Sequence, residues 1–233
     1  MWGIFFTARL RVLNIFFSEG FVCSLKTMEE AERRVEEWWS ASNVDAMLDL
    51  CGLELDTLPA MPLTLRHLNV SYNKIATLPK LGKYLLTLGC SSNCLVDMPN
   101  LPPNLRVLAC NDNRIRQLPT LPRPLIHLSC ANNLLKEMPA SLGACLNLKH
   151  LNCESNAIKR LPDVSNTVET LCIANNGMLA LPTHRPKALS YLSCARNEFE
   201  PFVRYEMTIE NYWDGVVRGQ VKRNNKIPLH YQV

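Results

Sequence analysis

The chain has 233 residues, of which 47% are hydrophobic and 20% charged, with a formal net charge of +4. That charge is too mild to point to nucleic acid, which would call for a concentrated basic face. No Gly-rich phosphate loop, nucleophile elbow or metal-ligand helix is present, so the sequence offers no catalytic constellation, no cofactor site and no metal site.

Residues 1–27 are apolar and aromatic, but Arg9 and Arg11 interrupt them and leave 12–17 as the one sizeable apolar run. A membrane span needs about 20 such residues. A signal peptide would place its positive charges first and small residues at a cleavage site, and the fit is poor. Residues 1–27 are therefore expected to be a disordered or artefactual N-terminal extension, with translation starting at Met1 or at Met28. A weak membrane or export signal and an ordered appendage are the alternatives.

Residues 28–47 read as an N-terminal helical cap. Ala31, Val35, Trp38 and Trp39 fall near one helical face, and Glu29, Glu30 and Glu32 suit the positive end of the helix dipole. Residues 40–43 break this helix, and Ser42 or Asn43 is placed to cap a second short one running through Leu48. Both tryptophans are expected to anchor the cap to the core.

From Asp45 the chain repeats itself. Residues 105–119, LRVLACNDNRIRQLP, have apolar side chains at positions 1, 4, 6, 11 and 14, Asn at 9 and Pro at 15. Units with this pattern begin at Asp45, Leu65, Leu85, Leu105, Leu125, Leu148, Val168 and Leu189, in steps of 20, 20, 20, 20, 23, 20 and 21. Self-similarity at this period is the signature of a solenoid. Positions 3 to 5 read as a short strand, with positions 4 and 6 pointing inward and 3, 5 and 7 outward. The Asn at position 9 recurs as Asn73, Asn93, Asn113, Asn133, Asn156, Asn176 and Asn197. Its amide can both donate to and accept from the backbone of neighbouring turns, so these residues should form a structural ladder. The first unit has Leu53 instead, as terminal repeats often deviate. The Pro-rich return arms, LPPN at 101–104 and LPRP at 121–124, should be extended. The longer unit from Leu125 should form a helical turn that buries Leu142, Cys145 and Leu146. Cys90, Cys110, Cys130, Cys153 and Cys194 all hold position 6, which reads as a buried column of free thiols in a reducing cytosol.

This pattern resembles the leucine-rich repeat family in its short bacterial form, with the LPxLP return arm of the YopM and IpaH effectors. The resemblance covers about two thirds of the chain. Position 6, usually Val, Ile or Leu in that form, is often Cys here. The resemblance implies an α/β repeat fold: a leucine-rich repeat solenoid with a curved parallel sheet on its concave face and helical N- and C-terminal caps. Residues 45–202 would form about eight units. Residues 203–233 would form a C-terminal helical cap, amphipathic over 203–221, and a basic tail; they are too few for the catalytic ubiquitin-ligase domain that follows the repeats in IpaH effectors. The resemblance also implies an effector-like scaffold that is not an enzyme.

Function is expected on the concave face, which is small, polar and almost uncharged. The candidate partner-binding residues are His67, Tyr72, Asp112, His127, His150, Tyr191 and Arg196, with the aromatic and Arg side chains as the strongest anchors. His127 and His150 hold equivalent positions, so their rings should stack. His127 and Cys130 lie three apart in a strand and so face opposite ways, which removes a zinc reading. Lys74, Arg114, Arg116, Lys136, Lys159 and Arg160 form a basic line along the turns, read as a solvated rim or, more sharply, as a contact for acidic partners. The expected function is a monomeric, cytoplasmic protein–protein interaction module with a protein partner and no small-molecule substrate, nucleic acid or membrane. A substrate adaptor for a ubiquitin ligase and an extracellular recognition module are the alternatives.

Overall fold

A computed structural model describes residues 19–198 and 230–232. Helix α1 (Glu19–Ser40) leads into eight parallel strands of three residues each: β1 (Met47–Asp49), β2 (His67–Asn69), β3 (Thr87–Gly89), β4 (Val107–Ala109), β5 (His127–Ser129), β6 (His150–Asn152), β7 (Thr170–Cys172) and β8 (Tyr191–Ser193). They pair in chain order and in register, position for position: Leu68 lies beside Leu88, and Leu88 beside Leu108. A ninth strand, β9 (His230–Gln232), pairs antiparallel with β8. The amphipathic segment 203–221 lies outside the described residues.

The core follows from the strand period. The middle residue of every strand from β1 to β8 is buried, while its neighbours in β2, β3, β4, β6 and β7 are half-buried. Positions 1, 4, 6 and 11 therefore stack into a continuous apolar interior, with Leu105, Leu108, Cys110 and Ile115 fully buried in one unit. No single unit can enclose that interior; its neighbours complete it.

Asn113 shows how adjacent units are joined. Its Oδ1 accepts from the Leu95 N–H at 3.0 Å, and its Nδ2 donates to the Cys90 carbonyl at 3.0 Å, both in the preceding unit. The same Nδ2 also reaches the Cys110 and Asn111 carbonyls of its own turn. Asn73, Asn93, Asn133, Asn156, Asn176 and Asn197 repeat this arrangement, each accepting from a position-11 N–H and donating to a position-6 carbonyl of the unit before. Leu53 stands at this place in the unit that has no repeat before it, and its N–H instead donates to Asn73.

Three local expectations need correction. The second short helix is absent: residues 41–45 turn, and the chain passes directly into β1. Trp38 is buried and its Nε1 donates to the Ala46 carbonyl at 2.9 Å, but Trp39 is 60% exposed. One step along a helix turns a side chain about 100° away from its neighbour, so Ala31, Val35 and Trp38 can share a buried face that Trp39 leaves. The 3₁₀ turn Ala140–Ala144 buries Leu142 and Cys145 but leaves Leu146 exposed, because the chain has already left the turn. Helix α1 also starts earlier than residue 28, and its Glu30 carboxylate bridges Arg33 and Arg34.

Cys90, Cys110, Cys130, Cys153 and Cys194 are buried free thiols. Burial pushes Cys110 and Cys153 from an ordinary value of 9.0 up to about 12. Below that ordinary value the thiol is protonated in both folded and unfolded chains, and its stabilising contribution is complete. Above it the unfolded chain ionises first, so stability falls as the pH rises towards 12. Replacing Cys110 and Cys153 by Val should flatten the loss of stability between pH 9 and 12, measured by urea denaturation at a series of pH values. Asn113→Ala should cost about 3 kcal/mol in the same assay, because it leaves buried backbone groups unpaired, whereas Leu53→Asn should gain nothing.

Candidate functional site

Positions 3 and 5 of the strands form the outward sheet surface. Position 3 carries His67, Thr87, Val107, His127, His150, Thr170 and Tyr191, and position 5 carries Asn69, Gly89, Ala109, Ser129, Asn152, Cys172 and Ser193. None of these side chains is a carboxylate, Lys or Arg. In-register pairing turns sequence equivalence into contact. His127 lies beside His150 with ring centroids 5.5 Å apart and planes tilted by 46°. His67 Nδ1 lies 3.0 Å from Thr87 Oγ1. Burial, and then the neighbouring His150, lower the pKa of His127, favouring its neutral form.

Small side chains occupy the middle of this surface. Gly89 leaves room for its neighbour: a Cβ there would lie 3.0 Å from Asn69 Oδ1, so the Asn69 side chain would have to give by a few tenths of an ångström. That Asn69 side chain is held by Asp49 on one side and by the Ser71 N–H on the other. Further along, Asn111 Oδ1 accepts from Ser129 Oγ and from the Ala131 N–H, both at 2.8 Å. Ser193 Oγ donates to Glu154 Oε1 across the intervening unit, over the strand that carries Cys172. Several side chains of this sheet surface are thus fixed by hydrogen bonds within it.

Position 8, at the rim, has a constraint that apolar periodicity does not reveal. Its backbone is left-handed in every unit, at Gly52, Tyr72, Ser92, Asp112, Asn132, Ser155, Asn175 and Arg196, with φ between 52° and 70°. This turn swings the next residue, the ladder Asn, into the interior. Gly, Asn and Asp tolerate the conformation; bulky side chains do not. The recurrence of Gly, Asp and Asn at position 8 was the available signal. Tyr72 and Arg196 stand against it, and both are exposed, Tyr72 by 66%.

The candidate residues do not form one cluster. His127 and His150 touch, whereas Tyr72 and Arg196 stand six units apart, about 29 Å by strand spacing. Asp112 accepts from Asn132 Nδ2 at 2.8 Å, and Tyr191 is 38% exposed. Met47, 49% exposed at position 3 of β1, belongs to the same row and was missed because its unit is atypical. Tyr72→Asn and Arg196→Asn should each stabilise the fold by about 0.5–1 kcal/mol, by relieving the left-handed strain. Chemical denaturation of the single variants checks this.

No family model matches the sequence, and no curated protein matches it. Solved structures do. YopM from Yersinia enterocolitica WA-314 is 28% identical, with a TM-score of 0.56, over 62% of this chain and 36% of that one. A Shigella effector LRR domain is 27% identical, with a TM-score of 0.64, over 78% of this chain and 86% of that one. YopM from Yersinia pestis is 26% identical, with a TM-score of 0.62, over 73% of this chain and 54% of that one. The chain thus spans about a third of the first YopM and about half of the second. With its short repeat, its parallel register and its asparagine ladder, this chain is a leucine-rich repeat solenoid similar to those of YopM and the Shigella effector domain.

Proposed function

We propose that this chain is a non-enzymatic, effector-like scaffold that binds a protein partner through the concave sheet face, as a monomer in the cytoplasm. The observation that carries this reading is the hydrogen-bonded surface of β2 to β8, laid out in register with no charged side chain at strand positions 3 and 5. Eight strands at sheet spacing extend over about 35 Å, enough for an interface of about 1,600 Å² in total. Strands fixed on both sides lose little freedom when a partner arrives, so more of the contact energy goes to binding. His67, Tyr72, Asp112, His127, His150, Tyr191 and Arg196 are the proposed contact residues. Tyr72 and Arg196 keep bulky side chains at turns that favour Gly or Asn, which fits selection for what they touch.

Two further observations support the reading. The column of buried thiols suits a reducing compartment, and the raised pKa values of Cys110 and Cys153 make them poor nucleophiles. The resemblance to effector repeats supports a scaffold role.

The test is an affinity capture from cytosolic lysate with the full chain as bait, beside the variant Tyr72→Ala/His127→Ala/His150→Ala/Tyr191→Ala. Both baits must first show the same thermal transition. The expected result is a partner retained by the parent and lost by the variant. A partner held equally by both would remove the concave face as its site, and ubiquitin-ligase subunits among the captured proteins would favour the adaptor reading.

A further inference from the structure

A second surface lies on the flank of the solenoid, past the C-terminal ends of the strands. A groove of about 760 Å³ crosses three consecutive units there, lined by Arg116, Leu134, Lys136, Glu137 and Ala157 among others. Its floor comes from position 10 of two units, Leu134 and Ala157, where the unit before carries Arg114. Leu134 is 51% exposed, an apolar side chain at a place where the units on the N-terminal side carry Lys74, Cys94 and Arg114. The walls include Arg116 and Lys136 at position 12, and the next unit carries Lys159 and Arg160 at positions 12 and 13. Arg114, Arg116, Lys136, Lys159 and Arg160 are all exposed, and among the described residues none of them forms an ion pair. On other parts of the solenoid, Arg66 pairs with Asp45, Lys74 with Glu54 and Lys149 with Glu169. Of these five cations, Arg116 and Lys136 line the groove, beside one carboxylate, Glu137.

We propose that this flank groove binds a short acidic peptide segment of a partner protein, with one aliphatic side chain seated on Leu134 and Ala157 and carboxylates paired with Arg116 and Lys136. Charge complementarity selects the acid, and the exposed leucine floor selects the aliphatic residue between the acids. A nucleic acid fits less well. The groove lining includes no aromatic side chain on which a base could stack, and Glu137 would repel a continuous phosphate chain. Glu137 can instead accept from a backbone N–H of the peptide. The site is separate from the concave face, so it stands whether or not that face binds a partner.

The experiment is fluorescence anisotropy of the full chain with a fluorescein-labelled peptide EDLDE. The same titration is run with EDADE and with an oligothymidine of equal length. The parent should bind EDLDE more tightly than EDADE, and more weakly as salt is added. Arg116→Glu/Lys136→Glu should weaken EDLDE by about tenfold or more, each reversal acting on an exposed pair. Leu134→Ser should bring EDLDE down to the affinity of EDADE and leave EDADE unchanged. All three side chains are exposed, so the variants should keep the parent's thermal transition; Arg116→Gln/Lys136→Gln gives a milder second reading of the same charges. Equal affinity in parent and variants, no measurable binding of EDLDE, or oligothymidine binding as tightly as EDLDE would overturn the proposal. So would loss of the peptide in His127→Ala/His150→Ala, which would move its site to the concave face.

Discussion

The structure depends on the hydrogen bonds that each ladder asparagine makes to the turn before it. Stacking strands three residues long buries the corner where each strand ends, and that corner leaves an N–H and a carbonyl without a ladder partner. A primary amide can satisfy both at once, donating through Nδ2 and accepting through Oδ1. Asn113 does this for Leu95 and Cys90, and its counterparts repeat the contact through the array. The turn at position 8 is left-handed because the amide must point inward one residue later. Strand register follows from the same bond: a unit displaced by one residue would take its asparagine out of reach.

Holding the turns this way separates the outer surface into faces with different chemistry. Sheet positions 3 and 5 of β2 to β8 are uncharged, and several of their polar side chains are held by neighbours, as in His67 with Thr87 and Ser129 with Asn111. The flank carries longer charged side chains, because positions 10, 12 and 13 lie beside the buried position 11 without taking part in the sheet. A partner meeting the concave face therefore finds a fixed shape with little charge, while one meeting the flank finds movable cations around an exposed leucine. The two surfaces favour different kinds of contact, and a scaffold can use both at once.

Much of this was legible in the sequence because the repeat states it many times. Strand positions, inward residues and the asparagine ladder were each visible at several equivalent places, so no single deviation could mislead. What escaped was written only once. Trp38 and Trp39 are adjacent aromatic residues on a helix, and apolar pattern alone did not decide which of them faces the solenoid end. The short connection from α1 to β1 has the composition of a helix start, but β1 claims its last residues for the sheet. Leu146 shares its apolar character with Leu142 and Cys145, and only the path of the chain leaving the 3₁₀ turn exposes it. The strain at Tyr72 and Arg196 was hidden for another reason: backbone handedness is inferred from which residues tolerate it, and these two are the exceptions in their column.

The ladder also has a direction. Every asparagine reaches towards the N-terminus, and the first unit has Leu53 where an asparagine would find no repeat behind it. A growing polypeptide emerges from the ribosome in that same order. Each new unit therefore brings its connecting amide to a turn that has already been made, and the open groups of the newest turn are closed when the next asparagine arrives. Vectorial assembly of this kind ties each asparagine to contacts only one repeat away, so an array with more units would need no longer-range contact to close.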